Sequence, residues 1–466
     1  MTRLAVIGGG IAGLAAAHRA LTMPDLPADD RPAVDLYDAG HRLGGRIDSI
    51  TFAGVDGIDL GADAVLARVP DATGLAAEVG LGDELVAPEP VGAAVWHHGL
   101  HDIPDGLVLG VPGHLAPLAR SGLLSWRGKA RAALEPLIPR TSMEPDSIGT
   151  FVRARFGDEV HERLVDPLVG GIYATDTDHF SLAEVPQLAA LARHGRSILL
   201  AARSMRRSAG TGTAAASPIF AAPRAGMRAL VDATAQAITA AGGRIHLGTP
   251  VTAIEPDGDG WRLDAPGAHD RTYDSVIVAT PAAAAASSLR GAAPGAAALL
   301  ATAETADVAM LLLHVAADEW PASLRGRSGY LVPKPVQRSV TAASFGSQKW
   351  GHWRPPEGGE ILRVSIGRDG APALHLEDDE LLDRALDDLA LHLGRRFTPI
   401  DHRVVRWPGA FAQYRPHHRS WVDRVAAELP AGVHLAGSSY EGIGIPACVR
   451  DGRRAAERAV RHVVPV

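Results

Sequence analysis

One passage constrains this chain more than any other. The apolar run Leu4, Ala5, Val6, Ile7 leads into Gly8-x-Gly10-x-x-Gly13 and then into the helix formers of residues 14–20. The run reads as a buried parallel strand, because such a strand is covered on both faces and needs apolar side chains throughout. The glycines have separate jobs. Gly8 permits the tight turn, Gly10 lets backbone approach a pyrophosphate, and Gly13 lets the helix pack on the strand. The phosphates then lie at the positive end of the helix. Gly8, Gly9, Gly10, Ile11, Ala12 and Gly13 are therefore the expected first contacts of a dinucleotide. A strand beginning this early predicts that no signal peptide precedes it.

At 466 residues the chain is long enough for two or three domains. With 46 Lys and Arg against 53 Asp and Glu the net charge is −7, which argues against nucleic acid as the main partner. The single cysteine, Cys448, excludes an internal disulfide and any CxxC motif, and points to a reducing, cytoplasmic setting. No apolar run approaches the ~18–20 residues that span a bilayer. The longest candidates, 276–286 and 308–317, are short, and Pro281 interrupts the first. The expectation is a protein that is soluble or at most peripheral.

After a long polar connection over 23–32, residues 33–38 read as a second strand ending in Asp38. Asp38 lies 25 positions after Gly13, near where an acid would bind the adenosine ribose hydroxyls. A nicotinamide-binding domain has no use for the next motif, Arg42-Leu43-Gly44-Gly45-Arg46. Here the chain resembles the flavin-dependent amine-oxidase superfamily, whose R-x-G-G-R/K motif lines the FAD pyrophosphate. That resemblance implies cofactor contacts at Asp38, Ala39, Gly45 and Arg46. It also implies contacts at Gly61, Ala62 and Asp63, beside the isoalloxazine.

Residues 70–110 read as a meander of strands. Within it His97, His98 and His101 suggest a hairpin with exposed imidazoles rather than a metal site, since no carboxylate or thiolate cluster joins them. No metal is expected. From about 112 the pattern is helical, and Arg127, Lys129 and Arg131 read as a solvated face, with a propionate or lipid-headgroup contact as the lesser reading. Residues 147–182 carry Phe156-Gly157-Asp158-Glu159, Asp166-Pro167-Leu168, Gly170-Gly171-Ile172-Tyr173-Ala174, Asp176 and Ser181-Leu182. They resemble the protoporphyrinogen/coproporphyrinogen oxidase branch. In that branch a Gly-Gly turn approaches the tetrapyrrole edge. Gly170, Gly171, Ile172 and Tyr173, with Ser328 and Lys349, are thus the implied substrate slot, where a broad macrocycle needs backbone rather than bulk on at least one face.

The stretch 203–222 is expected to be a loop. Residues 225–230 reopen a helix, 244–246 and 249–251 read as strands, and 276–281 as a buried strand. The resemblance places the Val251 backbone at the adenine. Residues 290–405 read as strands with one helix over 377–393. Residues 329–333, 347–350 and 406–414 resemble the family's substrate sheet, with Trp407 near the cofactor. Ala412 stands where proline is usual and Ser328 where enzymes acting on protoporphyrinogen carry phenylalanine. Residues 92–94 lack a propionate-pairing arginine. These departures point to the coproporphyrinogen-acting subgroup. At the end, 433–437 reads as a strand and 447–463 as a basic helix. The turn between them is similar to A-G-x-x-Y-x-G-x-G-I-P, which implies flavin contacts at Gly437, Gly442, Ile443, Gly444 and Ile445.

The expected fold is α/β plus α. A discontinuous Rossmann-like FAD-binding domain (1–72, 224–290, 431–466) joins a mixed-sheet substrate domain (73–108, 291–430) and a helical cap (109–223), similar to a membrane-binding domain. The resemblance implies one non-covalent FAD per chain. It implies oxidation of coproporphyrinogen III to coproporphyrin III by O2, with release of H2O2, for haem synthesis. Protoporphyrinogen IX is the next substrate, then an amine, then a non-catalytic FAD carrier. No hydrolase elbow, zinc-protease motif or second dinucleotide fingerprint competes. No acid–base residue is nominated: Tyr173, Asp166 and Lys349 read as structural. Arg127, Lys129, Arg131 and Arg153 are loose candidates for propionates. The expected partners are a tetrapyrrole and O2, with ferrochelatase or a membrane surface as transient ones.

Overall fold

The computed structural model describes residues 2–194, 196–210, 218–267 and 271–463. The opening run forms the strand Arg3–Ile7, the middle of a five-stranded parallel sheet. Its neighbours are Ala33–Tyr37 and Ser275–Val278, with Arg244–His246 and Val433–Leu435 at the edges. Leu4, Ala5 and Val6 are fully buried, as a central parallel strand requires. The fingerprint helix Ile11–Leu21 is alanine-rich on its buried face, which lets the C-terminal helix Ile445–Val463 lie close against it. At the crossing a Cβ on Gly452 would strike the Ala12 carbonyl.

A second, mixed sheet has seven strands, in the order Asp401–Ala412, Thr305–Val315, Glu360–Ile366, Val340–Phe345, Arg327–Leu331, Gly92–Trp96, Leu100–Asp102. One of its faces is covered by the helix Asp378–Leu393 through Leu381, Ala385 and Leu389. The third part is helical: Leu115–Arg120, Trp126–Ala133, Ile148–Phe156, Asp166–Tyr173, Pro186–Arg193 and Ile198–Gly210. A fully buried ion pair ties it together. Glu135 accepts from Arg155 Nε at 2.8 Å, from Ser197 Oγ at 2.6 Å and from the Ile198 amide at 2.9 Å.

The α/β-plus-α class holds, and several local expectations do not. Residues 70–78 form a helix, Pro70–Glu78, not a strand: proline at its first position and Asp71 in its first turn are start signals that the Gly/Pro reading of this stretch masked. Residues 249–251 are irregular and the next strand begins at Ala253; Pro250 has no N–H for a ladder. Residues 203–210 continue a helix rather than a loop, while 211–217 lie outside the described residues. A further helix, Pro294–Leu300, precedes the middle strands. Gly170 and Gly171 sit inside a helix, not a turn; the chain turns at Ala174, whose φ is 46°.

Candidate functional site

A cavity of about 1210 Å³ runs from the fingerprint glycines to the second sheet, walled on its far side by the helix Asp166–Tyr173. Pockets for one small ligand occupy roughly 300–1,000 Å³, so this one has room for a dinucleotide and a second molecule.

At the nucleotide end Gly10 caps the fingerprint helix without a side-chain hydrogen bond, leaving its first amides to a ligand. Gly8 has φ +109° and a Cβ there would lie 2.8 Å from the Ala279 carbonyl oxygen. Asp38 accepts from the Gly9 amide at 2.6 Å and the Gly40 amide at 2.7 Å, which fixes its carboxylate at the cavity wall. Gly9 and Gly13 do not line the cavity. Gly9 positions Asp38, and a Cβ on Gly13 would strike the Gly8 carbonyl.

Arg46 lines the cavity and is half-buried, donating to Ser438 Oγ at 3.1 Å and to the Gly409 carbonyl. Among the described residues no carboxylate pairs with it, and partial desolvation pulls its pKa down. A partly desolvated cation without an anion favours one in the cavity. Thr280 Oγ1, also in the wall, is buried without a partner. These features fit a bound flavin dinucleotide. Ala39, Gly45, Gly61, Ala62, Val251, Trp407, Gly437, Ile443, Gly444 and Ile445 all line the same cavity. Trp407 is held by its Nε1 donating to the Leu60 carbonyl at 2.9 Å. Gly442 stands off the wall, its amide donating to the Tyr414 hydroxyl at 2.9 Å.

Strand periodicity builds the far end. Arg363 and Ser365 share one face of their strand; Ser365 pairs with Met310 on one side and Ala342 on the other, and Arg363 with Leu312 and Ser344. Met310, Ala342, Ser344, Arg363 and Ser365 line the cavity, giving a flat floor of mostly small side chains. Opposite, a Cβ on Gly171 would lie 3.0 Å from Leu331 Cδ2, while Ile172 is 51% exposed into the cavity. Gly170 is packed tight for another reason: its Cβ would approach Arg368 Nη2 at 2.8 Å. Gly367, at φ +98°, turns the chain so that Arg368 reaches the wall, where Asp166 grips it with contacts of 2.8 and 3.1 Å. Burial pushes the Tyr173 hydroxyl up to about 12, so it stays protonated.

Asp63 does more than face a cofactor. It accepts from Lys349 Nζ at 2.7 Å, contacts Arg363 at 3.1 Å and accepts from Trp350 Nε1 at 3.2 Å. Burial alone would raise this carboxyl, but Lys349 and Arg363 outweigh it and hold it well below the usual carboxylate range.

Ser328 is not among the lining residues; its carbonyl accepts from Ser344 Oγ at 3.4 Å. The loose propionate candidates lie away from the cavity. Arg131 donates to the Ala154 and Arg155 carbonyls at 2.8 Å each, and Arg153 pairs with Asp158 at 3.0 Å and with Asp178. Arg127 and Lys129 do not line it either. Among the described residues the lining cations are Arg46, Lys349, Arg363 and Arg368. Sequence reasoning missed Arg363 and Arg368. The signal was there: an arginine and a serine, two apart, inside the apolar strand Glu360–Ile366. His97–His101 form the expected hairpin, with the His97 amide donating to the Gly99 carbonyl at 2.9 Å, but of the three imidazoles only His98 is exposed; His97 and His101 are half-buried, the His101 ring lying 3.2 Å from the His97 carbonyl.

The family model for flavin containing amine oxidoreductases matches residues 11–460. A coproporphyrinogen III oxidase of Bacillus subtilis is 31% identical over 98% of each chain. One from Mycobacterium tuberculosis is 34% identical over 98% of this chain and 96% of its own. A crystal structure from Exiguobacterium sp. 255-15, assigned provisionally as a protoporphyrinogen oxidase, superposes with a TM-score of 0.84 at 30% identity over 98% of both chains.

Proposed function

The chain belongs to the flavin containing amine oxidoreductase family, and from that premise we propose that it oxidises coproporphyrinogen III to coproporphyrin III in haem synthesis. The cofactor is one FAD, held without a covalent bond, and O2 is the acceptor. The observation that carries the reading is the shape of one cavity. A nucleotide end, with the acceptor Asp38 and with Arg46 unpaired by any carboxylate among the described residues, opens onto a flat floor of Ala342, Ser344 and Ser365 facing Gly171. A broad tetrapyrrole macrocycle matches that space. A cationic amine does not, since Lys349, Arg363 and Arg368 are in its wall.

A flavin held by Gly8, Gly10, Asp38, Arg46 and the turn at 437–445 would supply the hydride acceptor for C–H oxidation, with O2 as the final electron acceptor. Six hydrogens leave the substrate, three O2 are consumed and three H2O2 form. Floor and helix would hold the macrocycle between them and keep water out, so that an sp3 meso carbon is presented in one orientation. Neutral Tyr173 can donate a hydrogen bond there but carries no charge. The Cys448 thiol, pushed up to about 12 by burial, stays protonated and is a poor nucleophile for covalent attachment.

The division into a nucleotide domain, a substrate sheet and a helical cap goes with this reading, as does a cytoplasmic location. Among the described residues no helix is long and apolar enough to cross a membrane. A transient membrane contact has its support in Trp126, 73% exposed, with the Arg127 guanidinium 5.3 Å from its ring centroid and Lys129 close by in the same helix.

The test is turnover by purified, yellow protein in air. Coproporphyrinogen III and protoporphyrinogen IX are offered separately, and porphyrin fluorescence and peroxide are followed. Faster oxidation of the first is expected. Preference for the second, the substrate in the description of the Exiguobacterium structure, would transfer the activity to protoporphyrinogen. No oxidation of either by FAD-loaded protein would remove the reading.

A further inference from the structure

The cavity cations are not alike in how they are balanced. Arg368 is matched one to one by Asp166. Arg46 stands at the nucleotide end beside Ser438. Lys349 and Arg363 share one ion-paired carboxylate, Asp63, and the neighbouring Asp59 carboxyl, pushed up to about 7 by burial, offsets them only in part, so this cluster keeps an excess of positive charge. Arg363 is 6% exposed and its Nε is buried without a partner. Lys349 uses one of its three N–H donors on Asp63. Its Nζ lies 6.0 Å from the Phe220 ring centroid, and Phe220 and Leu66 are two of the exposed large apolar side chains. An excess charge with spare donors, partly out of water at the edge of a flat ring site, favours an anionic ligand group.

We propose that Lys349 and Arg363, held together by Asp63, receive a peripheral carboxylate of the substrate and so set its preference for a tetracarboxylate over a dicarboxylate macrocycle. This rests on the function proposed above. Coproporphyrinogen III carries a propionate on every pyrrole ring; protoporphyrinogen IX has vinyl groups on two of them. A vinyl group placed against the cluster would leave its charge and donors unpaired. Sites built to pair a polar group discriminate strongly against analogues that lack it, more strongly than apolar pockets discriminate by size. Ser344, directly across from Arg363 in the ladder, is small enough to leave the carboxylate room.

The test uses the FAD-loaded full chain as wild type, Lys349→Met and Lys349→Arg. The readout is the ratio of kcat/KM for coproporphyrinogen III to that for protoporphyrinogen IX. Lys349→Met should lower the ratio ~10-fold or more, chiefly through a higher KM for the tetracarboxylate, and Lys349→Arg should restore most of it. Flavin content and Tm of each variant are measured alongside. A Lys349 that merely braces Asp63 would, when changed, depress both substrates together and leave the ratio alone; that outcome overturns the inference. So does a methionine variant with an unaltered ratio. Wild-type protein that ignores coproporphyrinogen III overturns the functional reading itself, and this inference with it.

Discussion

At the scale of single residues, three glycines with the same formula do different physical work. A Cβ on Gly13 would strike the Gly8 carbonyl, whereas one on Gly10 would meet no protein atom within 4 Å. Gly13→Ala should therefore damage the fold, while Gly10→Val should fold and lose flavin, because its side chain occupies the space where phosphates meet the helix amides. Thermal melts and the visible spectrum separate the two; a fully yellow Gly10→Val protein would sink the argument. Gly171 faces the cavity, with Leu331 as the nearest neighbour of a built Cβ. Gly171→Leu should keep its flavin and lower kcat/KM by roughly 100-fold, since a displaced ring loses its alignment. Unchanged turnover would place the substrate elsewhere. Both positions stand out in the sequence, because glycine in a fingerprint or a pair is conspicuous. Arg363 and Arg368 do not stand out, because only strand pairing and the bend at Gly367 aim them at the cavity.

At the scale of elements, legibility followed how local the cause was. The central strand and its helix were readable because an apolar run, three glycines and a run of alanines decide them within a few residues. Gly170-Gly171 is a poor helix former and reads as a turn, yet the helix Asp166–Tyr173 forms, with Asp166 gripping Arg368, 202 residues further along the chain. Non-local packing also sets a pH dependence. His418 is stacked 4.0 Å from Tyr414, its ring facing the Tyr440 carbonyl, and burial pulls its pKa to about 4. The folded state keeps this imidazole neutral, so its contribution is complete above pH ~6.5, the unfolded value, and fades as pH falls toward 4. Asp59, raised to about 7, and Asp451, raised to about 6, act the other way over overlapping pH. The clean measurement is thus a difference. Between pH 7.5 and 5, wild type should lose ~2 kcal/mol relative to His418→Gln. A difference that does not vary with pH would mean the imidazole is not held neutral.

At the scale of the whole molecule, the cavity belongs to no single stretch of chain. Its wall draws on the glycine fingerprint, on Asp38 and Arg46, on Gly61 to Asp63, on the helix Asp166–Tyr173, on the floor of the second sheet and on Gly437 to Cys448. A cofactor held in it would contact the parallel sheet, through Gly8 and Gly10, and the mixed sheet, through Trp407 and Arg46, whose guanidinium reaches the Gly409 carbonyl. Ligand that binds only the folded state stabilises it by RT ln(1 + [L]/Kd), or ~4 kcal/mol at a thousandfold excess over Kd. Because the site spans both sheets, that free energy should act on both. Flavin-stripped protein is expected to melt several degrees lower, and adding FAD should raise the entire transition as one. If instead the melt divides and FAD moves only one part, the second sheet is not coupled through the cofactor. The substrate floor would then form independently of the flavin site, and porphyrin should bind the stripped protein as well as the loaded one. Fluorescence titration with coproporphyrin III in both states decides between these, and weaker binding to the stripped protein is the expected result.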